Sequence, residues 1–267
     1  MTEQSIGRLF LAGVLPGILL LMAFLLVIAI LCWIKPELGP RGPITSWSEK
    51  AHAMLGAIPI ISVVLVTIGG IYGGFFSPVE AAGVGAGLVI LYGMITRQLT
   101  LAAIREAGRD SVVTTATVML ILISAHLINP FLALSHIPTV VGEALAALHL
   151  GVYGTLAVIL LIYMVLGCFL EGFAMLVLTL PIFFPVVLAL GIDPIWFGVL
   201  VVLTLEMGLI SPPVGLNVFI VKSVAPAVPL GRIFVGVLPF WLAMLATLIL
   251  LVAFPQISLM LPNTMIR

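Results

Sequence analysis

Ten residues, Gly208-Leu-Ile-Ser-Pro-Pro-Val-Gly-Leu-Asn217, place two prolines, two glycines, a serine and an asparagine between apolar runs. Proline lacks a backbone donor and glycine accepts non-helical dihedrals, so this segment forgoes intrahelical hydrogen bonds. In hydrocarbon, such backbone persists only when buried in protein or lining a wet cavity. Freed carbonyls suit a hard cation such as Na⁺, and the N-terminus of the resuming helix suits an anion. The candidate Na⁺ ligands here are the backbone of Gly208, Ile210, Pro213 and Gly215 and the side-chain oxygens of Ser211 and Asn217. A ligand-free proline kink is the alternative.

A second interruption, Gly167-Cys-Phe-Leu-Glu-Gly172, divides the apolar region from Gly151 to Ile192. An ionised carboxylate at mid-bilayer costs about 2.5–3.5 kcal/mol on insertion scales. Glu171 therefore calls for helix N-terminal amides, a cation or water, unless the turn reaches the interface and is simply solvated. Gly167 and Gly172 allow a tight tip where backbone can approach a ligand. Gly167 joins the Na⁺ candidates; Glu171, Gly172 and Asn217 are the candidate substrate contacts. Thr179, ahead of Pro181, is expected to bond within its own helix.

Other polar residues have plainer readings. Glu80 suits the first turn of a helix, His126 a polar contact, and His136 and His149 the interface. Cys32 and Cys168 sit in apolar stretches without metal-ligand spacing. Gly83, Gly85 and Gly87 suggest close helix packing. No Gly-rich phosphate loop, His-Glu-x-x-His pair or Ser/His/Asp set occurs. The expectation is no catalytic residue, no cofactor and no transition-metal site.

These segments must be carried by membrane helices. The chain has 267 residues, 63% hydrophobic and 7% charged, against roughly a quarter charged in soluble domains. That composition excludes a soluble enzyme, a disordered chain, a nucleic-acid binder and a disulfide scaffold. The fold class is an all-α polytopic membrane protein. Apolar runs predict helices over about Leu9–Ile34, Ala53–Ile71, Pro78–Thr96 and Ser111–Ile128. Lys35–His52 reads as an aqueous connection. Ser77-Pro78-Val79-Glu80 reads as a capped helix start. Arg97–Asp110 reads as an interfacial amphipathic segment, and Pro138–Leu150 as a surface helix. The arm Gly151–Leu166 would be about 24 Å long, short of the ~30 Å hydrocarbon core, which favours a re-entrant hairpin over two full spans. A helix from Asp193-Pro194 to Met207 is interrupted at Gly208–Asn217 and resumes to Val224. Gly231–Phe254 is the last span.

Gly7-Arg-Leu-Phe-Leu-Ala-Gly-Val-Leu-Pro16 matches Gly231-Arg-Ile-Phe-Val-Gly-Val-Leu-Pro239 after one skipped residue. Basic residues place Lys35, Arg41, Lys50, Arg97, Arg105, Arg109, Lys222 and Arg232 on the cytoplasmic side and leave Arg8 and Arg267 outside. The matching segments then face opposite ways, as in an inverted-topology repeat. The chain is thus expected to hold one whole repeat and the end of another. The expected units are 1–34 (last helix of a truncated first repeat), 35–52 (linker), 53–110 (scaffold helices), 111–150 (scaffold and lateral helices), 151–225 (transport unit) and 226–267 (last helix and tail).

In order along the chain, Phe10–Gly17, Gly70–Ala82, Gly167–Gly172, Leu180–Pro185, Gly191–Pro194 and Gly208–Asn217 resemble the large, DctM-type membrane subunit of tripartite ATP-independent periplasmic (TRAP) transporters. The resemblance implies an elevator-type carrier in the bacterial inner membrane, moving organic acids of dicarboxylate or sialic acid type inward with Na⁺ as coupling ion. It implies a small four-helix membrane subunit and a periplasmic substrate-binding protein as partners. It also implies that Gly167–Gly172 and Gly208–Asn217 form the second-repeat half of the site. The family has two repeats, so the chain alone is expected not to transport without the missing first repeat. An assembly-only fragment or half-subunit, and a binding-protein-independent dicarboxylate or citrate carrier, are the alternatives.

Overall fold

The computed structural model describes residues 4–39, 42 and 46–264. Every helix or strand among them is helical. The helices are α1 (Ile6–Ile34), α2 (Trp47–Tyr72), α3 (Pro78–Ile95), α4 (Leu101–Leu134), α5 (Ile137–Ala147), α6 (Gly151–Gly167), α7 (Gly172–Ala189), α8 (Pro194–Leu209), α9 (Leu216–Val224), α10 (Leu230–Ala253) and α11 (Gln256–Thr264). Among the described residues, 6 helices (α1 to α4, α7 and α10) are long and apolar enough to cross a membrane. The chain is a multi-pass membrane protein. Arg41 and Arg267, placed by charge on opposite sides, lie outside the described residues.

Local chemistry fixes the helix starts. Ser77 and Glu80 form the capping box expected for α3: Ser77 Oγ accepts from the Glu80 amide, and Glu80 Oε2 accepts from the Ser77 amide. The same device opens α2 at Ser46 and Glu49. That helix therefore reaches back to Trp47, into the stretch expected to be aqueous linker. A further difference is α4. The charged segment Arg105–Asp110 and the apolar run after it form one 34-residue helix, not an interfacial segment followed by a span. Backbone hydrogen bonding continues through the change in polarity, and the helix passes Asn129-Pro130 to end at Leu134. The expected tail also contains a helix, α11, whose Asn263 Oδ1 accepts from Arg8 Nη2 at 3.2 Å. Tyr72 and Thr264 hydroxyls meet at 3.2 Å, tying α2 to the same end.

The core is built around α8, with Leu200, Met207 and Val201 all but sealed from solvent. Leu156, Ile159 and Tyr163 of α6, Met175 and Val187 of α7, and Leu248 and Leu251 of α10 close around it. Trp196, near the start of α8, donates from Nε1 to Leu251 O at 2.9 Å, whereas Trp241 reaches Ser211, just past its end. Helix α10 thus runs antiparallel to α8. Leu9 lies over Gly198 and Phe24 meets Phe240 edge-on at 5.5 Å, so α1 runs parallel to α8 and antiparallel to α10. The two helices that open with the repeated sequence therefore point opposite ways. Most large apolar side chains of α2, α3 and α4 are exposed.

Candidate functional site

Helices α6 and α7 form a hairpin whose tip, residues 168–171, lies against the end of α8. A Cβ built on Gly208 would fall 2.7 Å from Gly167 Cα and 3.0 Å from Met164 O. One built on Gly167 would fall 3.2 Å from Gly208 Cα. The two backbones touch because neither residue has a side chain. At the tip, Glu171 caps α7: its carboxylate accepts from the Phe173 amide at 3.0 Å and the Ala174 amide at 2.9 Å. Two helix amides thus engage the carboxylate of this exposed residue. Gly172 follows as the first residue of α7. Thr179 donates to Met175 O at 2.8 Å within its helix, and its hydroxyl also meets Tyr163 OH at 3.0 Å across the hairpin.

The break between α8 and α9 is open backbone. Ile210 ends α8 outside helical geometry, the Pro212–Pro213 bond is cis, and Gly215 takes the left-handed region at φ 59°. The Ile210 amide and the Ser211 hydroxyl bond Met207 O, and the Ser211 amide bonds Gly208 O. Beyond these, the carbonyls of Leu209 through Val214 accept no hydrogen bond from the described residues, and the amides of Val214 through Asn217 donate none. Acceptors and donors are thus displayed side by side, as a bound cation and anion would each require. Asn217, half-buried in the first turn of α9, has no hydrogen-bond partner among the described residues.

Ser211 is buried, donates to Met207 O at 2.6 Å and accepts from Trp241 Nε1 at 2.7 Å. Its remaining lone pair is the only free acceptor on that side chain. The structure thus brings Gly167 against Gly208 and sets Ile210, Ser211, Pro213, Gly215 and Asn217 in one connected break beside that contact. Glu171 and Gly172 occupy the adjoining tip, with Glu171 already engaged by its own helix.

Two residues escaped the sequence pattern. Trp241 had no polar spacing to mark it; its role arises only from α10 crossing the break. Glu206 did carry a signal, since it is an ionisable residue within an apolar run, two residues before Gly208.

Comparison with known proteins concerns the chain as a whole. The family model described as "Tripartite ATP-independent periplasmic transporter, DctM component" matches residues 1–257. The "C4-dicarboxylate TRAP transporter large permease protein DctM" of Pseudomonas aeruginosa is 36% identical, aligned over 98% of this chain and 61% of its own length. The "Sialic acid TRAP transporter large permease protein SiaM" of Vibrio cholerae is 32% identical over 98% of this chain and 61% of its own. The "Isethionate TRAP transporter permease protein DctMQ" of Oleidesulfovibrio alaskensis is 30% identical over 96% of this chain and 40% of its own. The chain spans about three-fifths of the first two relatives and less of the third.

Proposed function

This chain belongs to the DctM component family of tripartite ATP-independent periplasmic transporters, and from that premise we propose that it is part of the large membrane subunit of a Na⁺-coupled importer of organic acids. The observation that carries this reading is the contact of the end of α6 with the end of α8, Gly167 on Gly208, which sets the hairpin tip beside the break. Na⁺ binds among the backbone of Gly167, Gly208, Ile210, Pro213 and Gly215, with Ser211 and Asn217 adding side-chain oxygens. The unpaired carbonyls of the break support it, since a cation fills the acceptor role that water would otherwise take.

The substrate's carboxylate lies at the free amides of Val214–Asn217, with Gly172 and Asn217 beside it. The Glu171 carboxylate, held by its own helix, adds negative charge that favours the cation and leaves the anion to amides and Na⁺. Relatives named for C4-dicarboxylate, sialic acid and isethionate transport support an organic acid as cargo. The hairpin with α8 and α9 moves as an elevator against the remaining helices in the bacterial inner membrane. The working assembly includes a small four-helix membrane subunit, a periplasmic binding protein and a companion repeat, on this polypeptide or another.

The test is uptake into proteoliposomes containing that assembly, driven by a Na⁺ gradient. Wild type is compared with Asn217→Ala and Gly167→Val. Both variants are expected to lose Na⁺-dependent uptake. Unchanged Na⁺ dependence in both removes the site, and uptake that requires ATP removes the class.

A further inference from the structure

Glu206 lies about 18 Å along α8 from its first residue, at 1.5 Å per residue, and so near mid-membrane if α8 begins at the interface. It is exposed and has no hydrogen-bond or ion-pair partner among the described residues. Its surroundings are a groove between α1 and α8 whose other lining residues, among them Gly13, Pro16, Gly17, Gly198 and Val202, are all apolar or glycine. Val202, one turn earlier on the same face, is also exposed. Among the described residues, nothing lies within 4 Å of where a side chain at Gly13 or Gly17 would start.

Lipid tails cannot satisfy a carboxylate, and an apolar groove offers ordered water few partners. An ionised carboxylate at this depth is tolerated when an opposing charge faces it. The two glycines of α1, four residues apart, let another backbone come close. We propose that the α1–α8 groove seats a transmembrane helix of a partner segment that presents a Lys or Arg side chain to Glu206 at mid-depth. The glycine floor sets how near that helix lies; the carboxylate selects its register and identity. This contact lies on another face of α8 from the Na⁺ site, because Glu206 faces α1 whereas the hairpin packs on Gly208.

The experiment places a photo-crosslinking amino acid at Val202 in the fully assembled transporter in its native membrane, and sequences the joined peptide. A membrane-spanning peptide with a mid-span Lys or Arg is expected. Glu206→Lys should abolish that crosslink, and changing the partner's basic residue to Glu in the same complex should restore it. Glu206→Gln, which keeps the shape, should also lose the crosslink if the Lys variant does not fold. The proposal is overturned by crosslinks to lipid alone, to a second copy of this chain or to a helix without a mid-span base. It is equally overturned by a crosslink that survives Glu206→Gln.

Discussion

Trp241 donates its indole N–H to the Ser211 hydroxyl at 2.7 Å, while that hydroxyl donates onward to Met207 O at 2.6 Å. One short chain of bonds thus ties α10 to the break. Trp241→Phe keeps the ring volume in part and removes the donor. A net loss of about 1 kcal/mol is expected for one buried hydrogen bond. Thermal unfolding in detergent should show the loss, and hydrogen exchange should quicken at the Ser211 amide.

Gly208→Ala should be far more damaging than its size suggests. The new methyl would meet Gly167 backbone at 2.7 Å, with no flexible side chain to yield. Overpacking of this kind costs about 1–3 kcal/mol. Gly69→Ala is the control: inside α2, its methyl meets nothing within 4 Å among the described residues. A gain of about 0.5–1 kcal/mol is expected there, because alanine suits a helix interior better than glycine. Melting temperatures of the two variants should move in opposite directions.

Gly215→Ala tests the turn into α9. The residue sits at φ 59°, and a Cβ would meet Ser211 O at 3.0 Å and Phe234 Cε1 at 3.2 Å. Left-handed backbone costs a non-glycine residue about 1–2 kcal/mol before any contact is counted. Proteolysis within residues 209–216 should accelerate in this variant, while cleavage in α2 should not.

Glu171→Ala removes the acceptors for two amides at the hairpin tip. Capping losses are typically about 1 kcal/mol. Hydrogen exchange at Phe173 and Ala174 should rise, with α6 unaffected. Glu171→Gln retains one carbonyl acceptor and should fall between the two.

Asn217→Ala separates ligand binding from folding, since the side chain has no hydrogen-bond partner among the described residues. Its melting temperature should stay near wild type. If Na⁺ is held as proposed, the Na⁺ concentration that half-saturates uptake by the assembled transporter should rise.

The break and the hairpin were legible in the sequence because their cause is local. Proline and glycine act on their own backbone, and Gly208–Asn217 carries that chemistry within ten residues. The same holds for the cap at Ser77. What stayed hidden depends on partners distant in sequence or on competing local signals. Ser46 and Glu49 start α2 inside a charged, proline-rich stretch that reads as solvent-exposed loop. Helix α4 continues through Arg105–Asp110 because backbone bonding ignores the polarity that suggested a boundary. Trp241 on Ser211 and Gly167 on Gly208 are tertiary contacts, and spacing along one chain does not encode them. Glu206 was visible, but its unpaired state emerges only when α1 and α8 are side by side.

The Tyr163–Thr179 hydroxyl contact fastens one arm of the hairpin to the other well behind the tip. The arms cannot spread like tweezers without breaking it between two buried hydroxyls. The hairpin is thus built to hold together as one plank along its length, and only the few residues beyond this rivet lie outside that fastening.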